Sequence, residues 1–87
     1  MFLRMETQVA ISAAAIKKLN KLPADVRRQL GRAIRELEKW PNVQNVKALQ
    51  RIEGYRLRSG RYRVIFDVDK HGMILVADVL IRNESTY

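Results

Sequence analysis

The sequence predicts an α+β fold: an N-terminal strand, a helical hairpin, and then a three-stranded antiparallel meander, with both helices packed on one face of the sheet. Three observations carry this. Val26, Leu30, Ile34 and Leu37 recur at spacings of four, four and three, the apolar stripe of a helix that lies on a sheet. From Tyr55 onward the texture changes to β-branched and aromatic residues interrupted by Ser59-Gly60 and by Asp69-Lys70-His71-Gly72, the pattern of two hairpins in series. Between these halves the chain is too short, at 87 residues, for two hydrophobic cores, so residues 1–87 read as one domain.

The elements follow in order. Leu3 to Ile11 reads as the first strand, and Ser12 is suited to capping the helix after it. That helix, Ala13 to Leu19, sets Ile16 and Leu19 on one face and turns Lys17, Lys18 and Lys21 towards water. Leu22-Pro23 breaks it, because a residue before proline is pushed out of the α region, and Pro23 suits the first turn of a second helix from Ala24 to Lys39. The outer face of the second helix is rich in arginine, and Trp40-Pro41-Asn42 ends it. Asn42 to Glu53 reads as a long connection with one weak apolar pair, Val46 and Leu49. The strands Tyr55 to Arg58, Arg61 to Val68 and Met73 to Ile81 complete the order.

Composition narrows the function classes. A formal net charge of +8 repels itself in a compact domain and is relieved by a polyanionic partner, nucleic acid or an acidic protein. With no cysteine, neither a disulfide framework nor a thiolate metal site is available, which fits a reducing cytoplasm. The start of the chain, Met1-Phe2-Leu3-Arg4, becomes charged too early for a secretory signal. The longest apolar run, Met73 to Ala77, is cut by Asp78 far short of the ~20 residues that span a bilayer. The reading is a cytoplasmic protein with no membrane partner.

Chemistry concentrates in the first hairpin. A two-residue turn at Ser59-Gly60 sets Arg58 opposite Arg61, Leu57 opposite Tyr62 and Arg56 opposite Arg63. Tyr55, Leu57, Tyr62, Val64 and Phe66 then face the helices, while Arg56, Arg58, Arg61 and Arg63 project from the other side. Like charges directly opposite each other are unfavourable, so the cluster asks for a ligand. Guanidinium forks match phosphate oxygens bidentately and suit the extra charge of a phosphodiester transition state. The antiparallel return of the last strand brings Arg82 towards Arg63, and Tyr87 offers a phenol for stacking or proton exchange. The plainer alternative is a solvated polar face. His71 reads as a turn residue, Asp67, Asp69 and Asp78 as solubilising charges, and Trp40 as a core or rim residue.

The stretch Gly54-Tyr55-Arg56-Leu57-Arg58-Ser59-Gly60-Arg61-Tyr62-Arg63-Val64-Ile65-Phe66-Asp67-Val68, followed by Ile74 to Tyr87, resembles the carboxy-terminal half of RelE/ParE superfamily toxins of type II toxin-antitoxin systems. Leu22-Pro23 in the helical hairpin and Val46-Lys47-Ala48-Leu49 extend the likeness over nearly the whole chain. The resemblance is to the RelE-like branch, whose members cleave mRNA in the ribosomal A site without metal; the ParE-like branch inhibits DNA gyrase and generally lacks the catalytic basic residues. It implies that Arg63 stabilises the phosphate, Arg82 sits near the leaving group and Tyr87 takes part in proton transfer or substrate orientation. Arg56 stands where well-known members carry lysine, and Gly54 where some carry a second lysine. The implied reaction is attack of a ribose 2′-hydroxyl on the adjacent phosphate, with no cofactor. Arg58, Arg61, Lys47, Lys17, Lys18 and Lys21 would bind RNA, and the implied partners are mRNA, ribosomal RNA and a cognate antitoxin. Two other readings stand beside it, a gyrase-binding toxin and a non-catalytic basic RNA-binding module.

Overall fold

A computed structural model describes residues 8–81. Residues 3–7 of the expected first strand, together with Arg82 and Tyr87, lie outside that range. The elements are β1 (Val9–Ile11), α1 (Ala13–Asn20), α2 (Ala24–Glu36), a 3-10 turn (Leu37–Lys39), β2 (Val46–Ala48), β3 (Tyr55–Ser59), β4 (Tyr62–Val68) and β5 (Ile74–Ile81). They form a five-stranded sheet in the order β1-β5-β4-β3-β2. β1 runs parallel to β5, and the remaining pairs are antiparallel.

Local chemistry sets the helix boundaries. Ser12 caps α1 as the sequence predicts: its Oγ accepts the Ala15 N–H at 3.0 Å and donates to the Ala77 carbonyl at 2.8 Å, tying the helix start to β5. Pro23 stands at the N-cap position of α2, where its carbonyl accepts the Arg27 N–H at 2.9 Å. The helix tightens to 3-10 geometry at Leu37, two residues before the end anticipated from its periodicity. On α1 the expected inner face needs correction. Ala15 is fully buried and Leu19 packs beside it, whereas Ile16 is 45% exposed, because the small side chain is the one that lets α1 approach the sheet.

The core lies between the helices and one sheet face. Leu30, Ile34 and Leu37 from the α2 stripe meet Leu57, Val64, Phe66, Val76 and Val79, with Val26 packed at the margin. Trp40 closes one end as a rim residue, its ring centroid 4.8 Å from Tyr55 and 5.6 Å from Phe66 in edge-on contacts, while Tyr55 and Phe66 stack at 5.4 Å. Edge-to-face and offset pairs of this kind add roughly 0.5–1.5 kcal/mol beyond the area they bury.

The structure adds one strand to those the sequence predicts. Val46–Ala48, expected within a long connection, pairs with β3 and forms the outer edge of the sheet. The chain enters it through Asn45 at φ 65°, a left-handed conformation that asparagine tolerates. A three-residue edge strand buries little, so its apolar signal is weak by construction.

Candidate functional site

The β3–β4 hairpin turns on Gly60 and Arg61, not on Ser59 and Gly60. The first central residue of such a turn needs positive φ, which Gly60 adopts at 58° without strain, and Ser59 is thereby free to pair with Tyr62. The register is therefore Arg58 opposite Arg63, Leu57 opposite Val64 and Arg56 opposite Ile65. The slip from the expected pairing is an even number of residues, so every side chain that remains in the strands keeps its face. Arg61 moves from the sheet face into the exposed turn. Gln29 of α2 holds the hairpin tip by donating from Nε2 to Ser59 Oγ at 3.1 Å, an anchor the sequence did not suggest.

Strand β2 adds to this face. Lys47 is the register partner of Arg56, so Lys47, Arg56, Arg58 and Arg63 stand on the same side of three adjacent strands, away from the helices. Arg56 and Arg63 are half-buried; Lys47 and Arg58 are exposed. Among the described residues, no carboxylate lies within ion-pair distance of any of the four. On the sides away from Lys47 and Arg58, the register partners of Arg56 and Arg63 are Ile65 and Leu80, buried to 6% and 4% exposure. Guanidinium groups rising beside an apolar floor are screened less by water, which strengthens their attraction for an anion.

A groove of about 400 Å³ borders the arginine face, lined by Lys47, Arg51, Ile52 and Arg56. Its wall is a short loop closed by the Leu49 N–H donating to the Gly54 carbonyl at 2.9 Å. Gly54 has φ +125°, and a Cβ there would lie 3.1 Å from the Phe66 carbonyl oxygen and 3.3 Å from Leu49 Cδ1. The position admits only glycine without rearrangement, so the backbone itself excludes a lysine here.

The remaining basic residues divide. Lys17 and Lys18 are exposed on α1 and Lys21 at its C-cap, in the helical layer, and do not join the arginine face; Lys18 pairs with Asp78 at 2.9 Å. The aspartates do more than solubilise. Asp69 Oδ1 accepts the N–H groups of His71 at 2.8 Å and Met73 at 2.9 Å, building the β4–β5 turn in which His71 is a turn residue as expected. The Met73 N–H, before all other causes, holds the Asp69 carboxyl below its ordinary pKa. An aspartate at the start of a four-residue turn was the available signal for this role.

Among curated proteins, none matches the sequence. Solved structures share the fold. The toxin-antitoxin complex RelBE2 from Mycobacterium tuberculosis has a chain 23% identical, with TM-score 0.78 over 88% of this chain and 99% of that one. The archaeal RelE-RelB complex from Pyrococcus horikoshii matches at 26% identity and TM-score 0.74, over 91% and 98%. The isolated E. coli RelE toxin matches at 22% identity and TM-score 0.73, over 92% and 88%. The family model for the ParE toxin of the type II toxin-antitoxin system parDE matches residues 9–86. Nearly the whole described chain falls within that match, and the protein therefore belongs to the ParE toxin family, a type II toxin of the RelE/ParE superfamily.

Proposed function

We propose that this toxin is a ribosome-dependent endoribonuclease that cleaves mRNA in the A site and so inhibits translation. The observation that carries the reading is the convergence of Arg56, Arg58 and Arg63 with Lys47 on one sheet face with no carboxylate in ion-pair distance among the described residues. A gyrase inhibitor acting through helix surfaces has no use for a phosphate-shaped cluster on the face away from its helices.

The proposed reaction is transesterification. The 2′-oxygen of a ribose attacks the neighbouring phosphorus as its proton passes to a base; the bond from phosphorus to the 5′-oxygen breaks, and that oxygen takes up a proton. The products are a 2′,3′-cyclic phosphate and a free 5′-hydroxyl. Arg63 and Arg56 stabilise the charge that gathers on the phosphoryl oxygens, work that fixed guanidinium donors do without reorganising. Arg82 and Tyr87 are assigned to the leaving group and to proton transfer by their resemblance to the family's residues; Arg82 is bonded to Ile81, the register partner of Tyr62. A guanidinium is a poor base, so Tyr87 is assigned the proton.

Arg58 and Arg61 extend the cationic surface along the RNA strand. The protein acts as one domain in the cytoplasm, without a cofactor, and is silenced by a cognate antitoxin whose acidic or amphipathic segments cover the basic face. RelBE complexes among the similar structures support that partner.

The name of the matching family, ParE, favours one second reading, inhibition of DNA gyrase by protein-protein contact. Brief induction of the wild type, Arg63→Ala and Arg82→Ala variants, followed by mapping of mRNA ends, separates the two. Cuts confined to translated frames, lost in both variants, support the nuclease. Intact transcripts with DNA damage, unchanged in the variants, would overturn it in favour of gyrase.

A further inference from the structure

A groove of about 630 Å³ lies beside the tip of the β3–β4 hairpin, between α2 and the loop that leads into β2. That volume falls within the range of about 300–1,000 Å³ in which proteins hold small molecules. The lining is apolar where it is most enclosed: Leu57 is 3% exposed, and Ala33 and Val43 are half-buried. Around this floor stand the exposed carboxamides of Asn42, Gln44 and Asn45. Glu36 brings a carboxylate to the lining, and Lys39 neutralises it at 3.1 Å. Arg58 lines the groove and also belongs to the arginine face, so the two are continuous.

The loop that carries these carboxamides is fixed by its main chain. The Asn42 N–H donates to the Lys39 carbonyl at 2.8 Å, the Val43 N–H to the Pro41 carbonyl at 2.9 Å, and the Asn45 carbonyl accepts the Arg58 N–H at 2.9 Å. Among the described residues, the side chains of Asn42, Gln44 and Asn45 make no hydrogen bond. Asn45 has a backbone reason to be asparagine, its φ of 65°. Asn42 and Gln44 have no such reason: polar turn residues act by bonding the main chain nearby, and neither side chain does so. On the hairpin side, Ser59 Oγ accepts from Gln29 Nε2 at 3.1 Å, which leaves the Ser59 hydroxyl free to donate.

A carboxamide sets a donor and an acceptor side by side, the complement of a nucleobase edge, and adenine is the base it pairs with bidentately. Unstacked bases of single strands are read in this way, with their faces on apolar surface and their edges on polar groups. A simple anion has no use for amide acceptors, and an aliphatic ligand has none for amides at all. We infer that this groove holds the base of a nucleotide flanking the cleaved phosphodiester and reads it as adenine through Asn42, Gln44 and Asn45, while Arg58 holds that nucleotide's phosphate. Asn45 and Arg58 are bonded main chain to main chain, which sets the base contact and the phosphate contact side by side. The identity of the strand rests on the nuclease reading above, which the groove deepens by giving cleavage a sequence preference.

The test uses the full chain carrying Arg63→Ala, so that RNA survives, and short single-stranded RNAs that differ at one position. The RNA with adenine there is expected to bind about tenfold tighter than those with uracil, cytosine or guanine, the discrimination one bidentate pair gives. Its addition should shift the side-chain amide resonances of Asn42, Gln44 and Asn45 in the NMR spectrum. Asn45→Gly tolerates the positive φ but removes the carboxamide, so it should keep the fold, by circular dichroism, and lose most of the adenine preference. Gln44→Ala, whose wild-type side chain bonds to nothing in the described protein, should act in the same direction. Equal affinity for all the RNAs would overturn the proposal, as would a preference that survives both substitutions. Adenosine monophosphate bound as tightly as the RNA would overturn it in favour of a free nucleotide. In cells, mRNA ends produced by the wild type should be enriched in adenine at one fixed position beside the cut, and Asn45→Gly should remove the enrichment. Selective binding by a wild type that cuts no mRNA would refute the nuclease alone, and cutting without base preference would refute the base-reading groove alone.

Discussion

Arg58 and Arg63 stand directly opposite each other as a non-hydrogen-bonded pair of the β3–β4 ladder. The Arg58 N–H donates to the Asn45 carbonyl at 2.9 Å, which turns the Arg58 main chain towards β2 and away from β4. Pairs of this kind bring their Cα atoms to about 4.5 Å, the closer of the two antiparallel spacings. Two arginine side chains are thus rooted side by side on the same face.

That juxtaposition is unfavourable in the free protein. Arg58→Ala is expected to leave stability unchanged or raise it slightly, and a double-mutant cycle with Arg63→Ala should return a repulsive coupling of about 0.2–1 kcal/mol that shrinks in high salt. Urea unfolding of the four proteins measures it; an attractive coupling would refute the argument.

Loss of Arg63 should cost activity rather than fold. Removing one preorganised donor from a developing anionic centre lowers turnover by about 10² to 10³ in comparable sites. Arg63→Ala is expected to show that fall in single-turnover mRNA cleavage on programmed ribosomes, with an unaltered circular dichroism spectrum. Arg63→Lys keeps the charge but not the fork and should recover only part of the rate.

Gly54 fixes where lysine is not allowed. Gly54→Lys is expected to destabilise the protein by about 1–3 kcal/mol, since it forces a residue with a side chain into positive φ and sets its Cβ against the Phe66 carbonyl. Urea titration followed by Trp40 fluorescence measures this, because Trp40 rests on both Tyr55 and Phe66. An equally stable Gly54→Lys protein would contradict the close approach.

Asp69 makes part of the stability pH-dependent. Its folded pKa lies below its unfolded value, first through the Met73 N–H, so its contribution is complete above the unfolded pKa of about 4. The contribution fades as pH falls through the folded pKa. Thermal midpoints of the wild type and Asp69→Ala should therefore differ near neutrality, with the wild type higher, and converge in acid; a gap that persists at the lowest pH would refute the assignment.

Much of this was legible in the sequence because strong periodicities were present. The α2 stripe of Val26, Leu30, Ile34 and Leu37 and the alternation from Tyr55 to Phe66 each fix which face is buried, and the structure agrees on both. Faces survive a register error of even length, which is why Arg56, Arg58 and Arg63 fall on the expected side although their partners differ and Arg61 lies in the turn. The turn was misplaced because Ser59 and Gly60 are both good turn residues, and only the demand for positive φ at the first central position decides between Ser59-Gly60 and Gly60-Arg61. β2 escaped because Val46 and Ala48 bury too little to stand out, and with it went the neighbour relation of Lys47 and Arg56.

The parallel pairing of β1 with β5 bears on how the protein is made. Val9 finds its partner in Ile74, and Ser12 caps α1 while bonding to Ala77, a separation of 65 residues. During synthesis the opening segment emerges early and waits for a neighbour translated long after it, so the five-stranded sheet closes only once β5 has left the ribosome. Until then β1 has no strand to pair with and Ser12 no Ala77 carbonyl to bond, so the layer that buries the helices stays open along that edge.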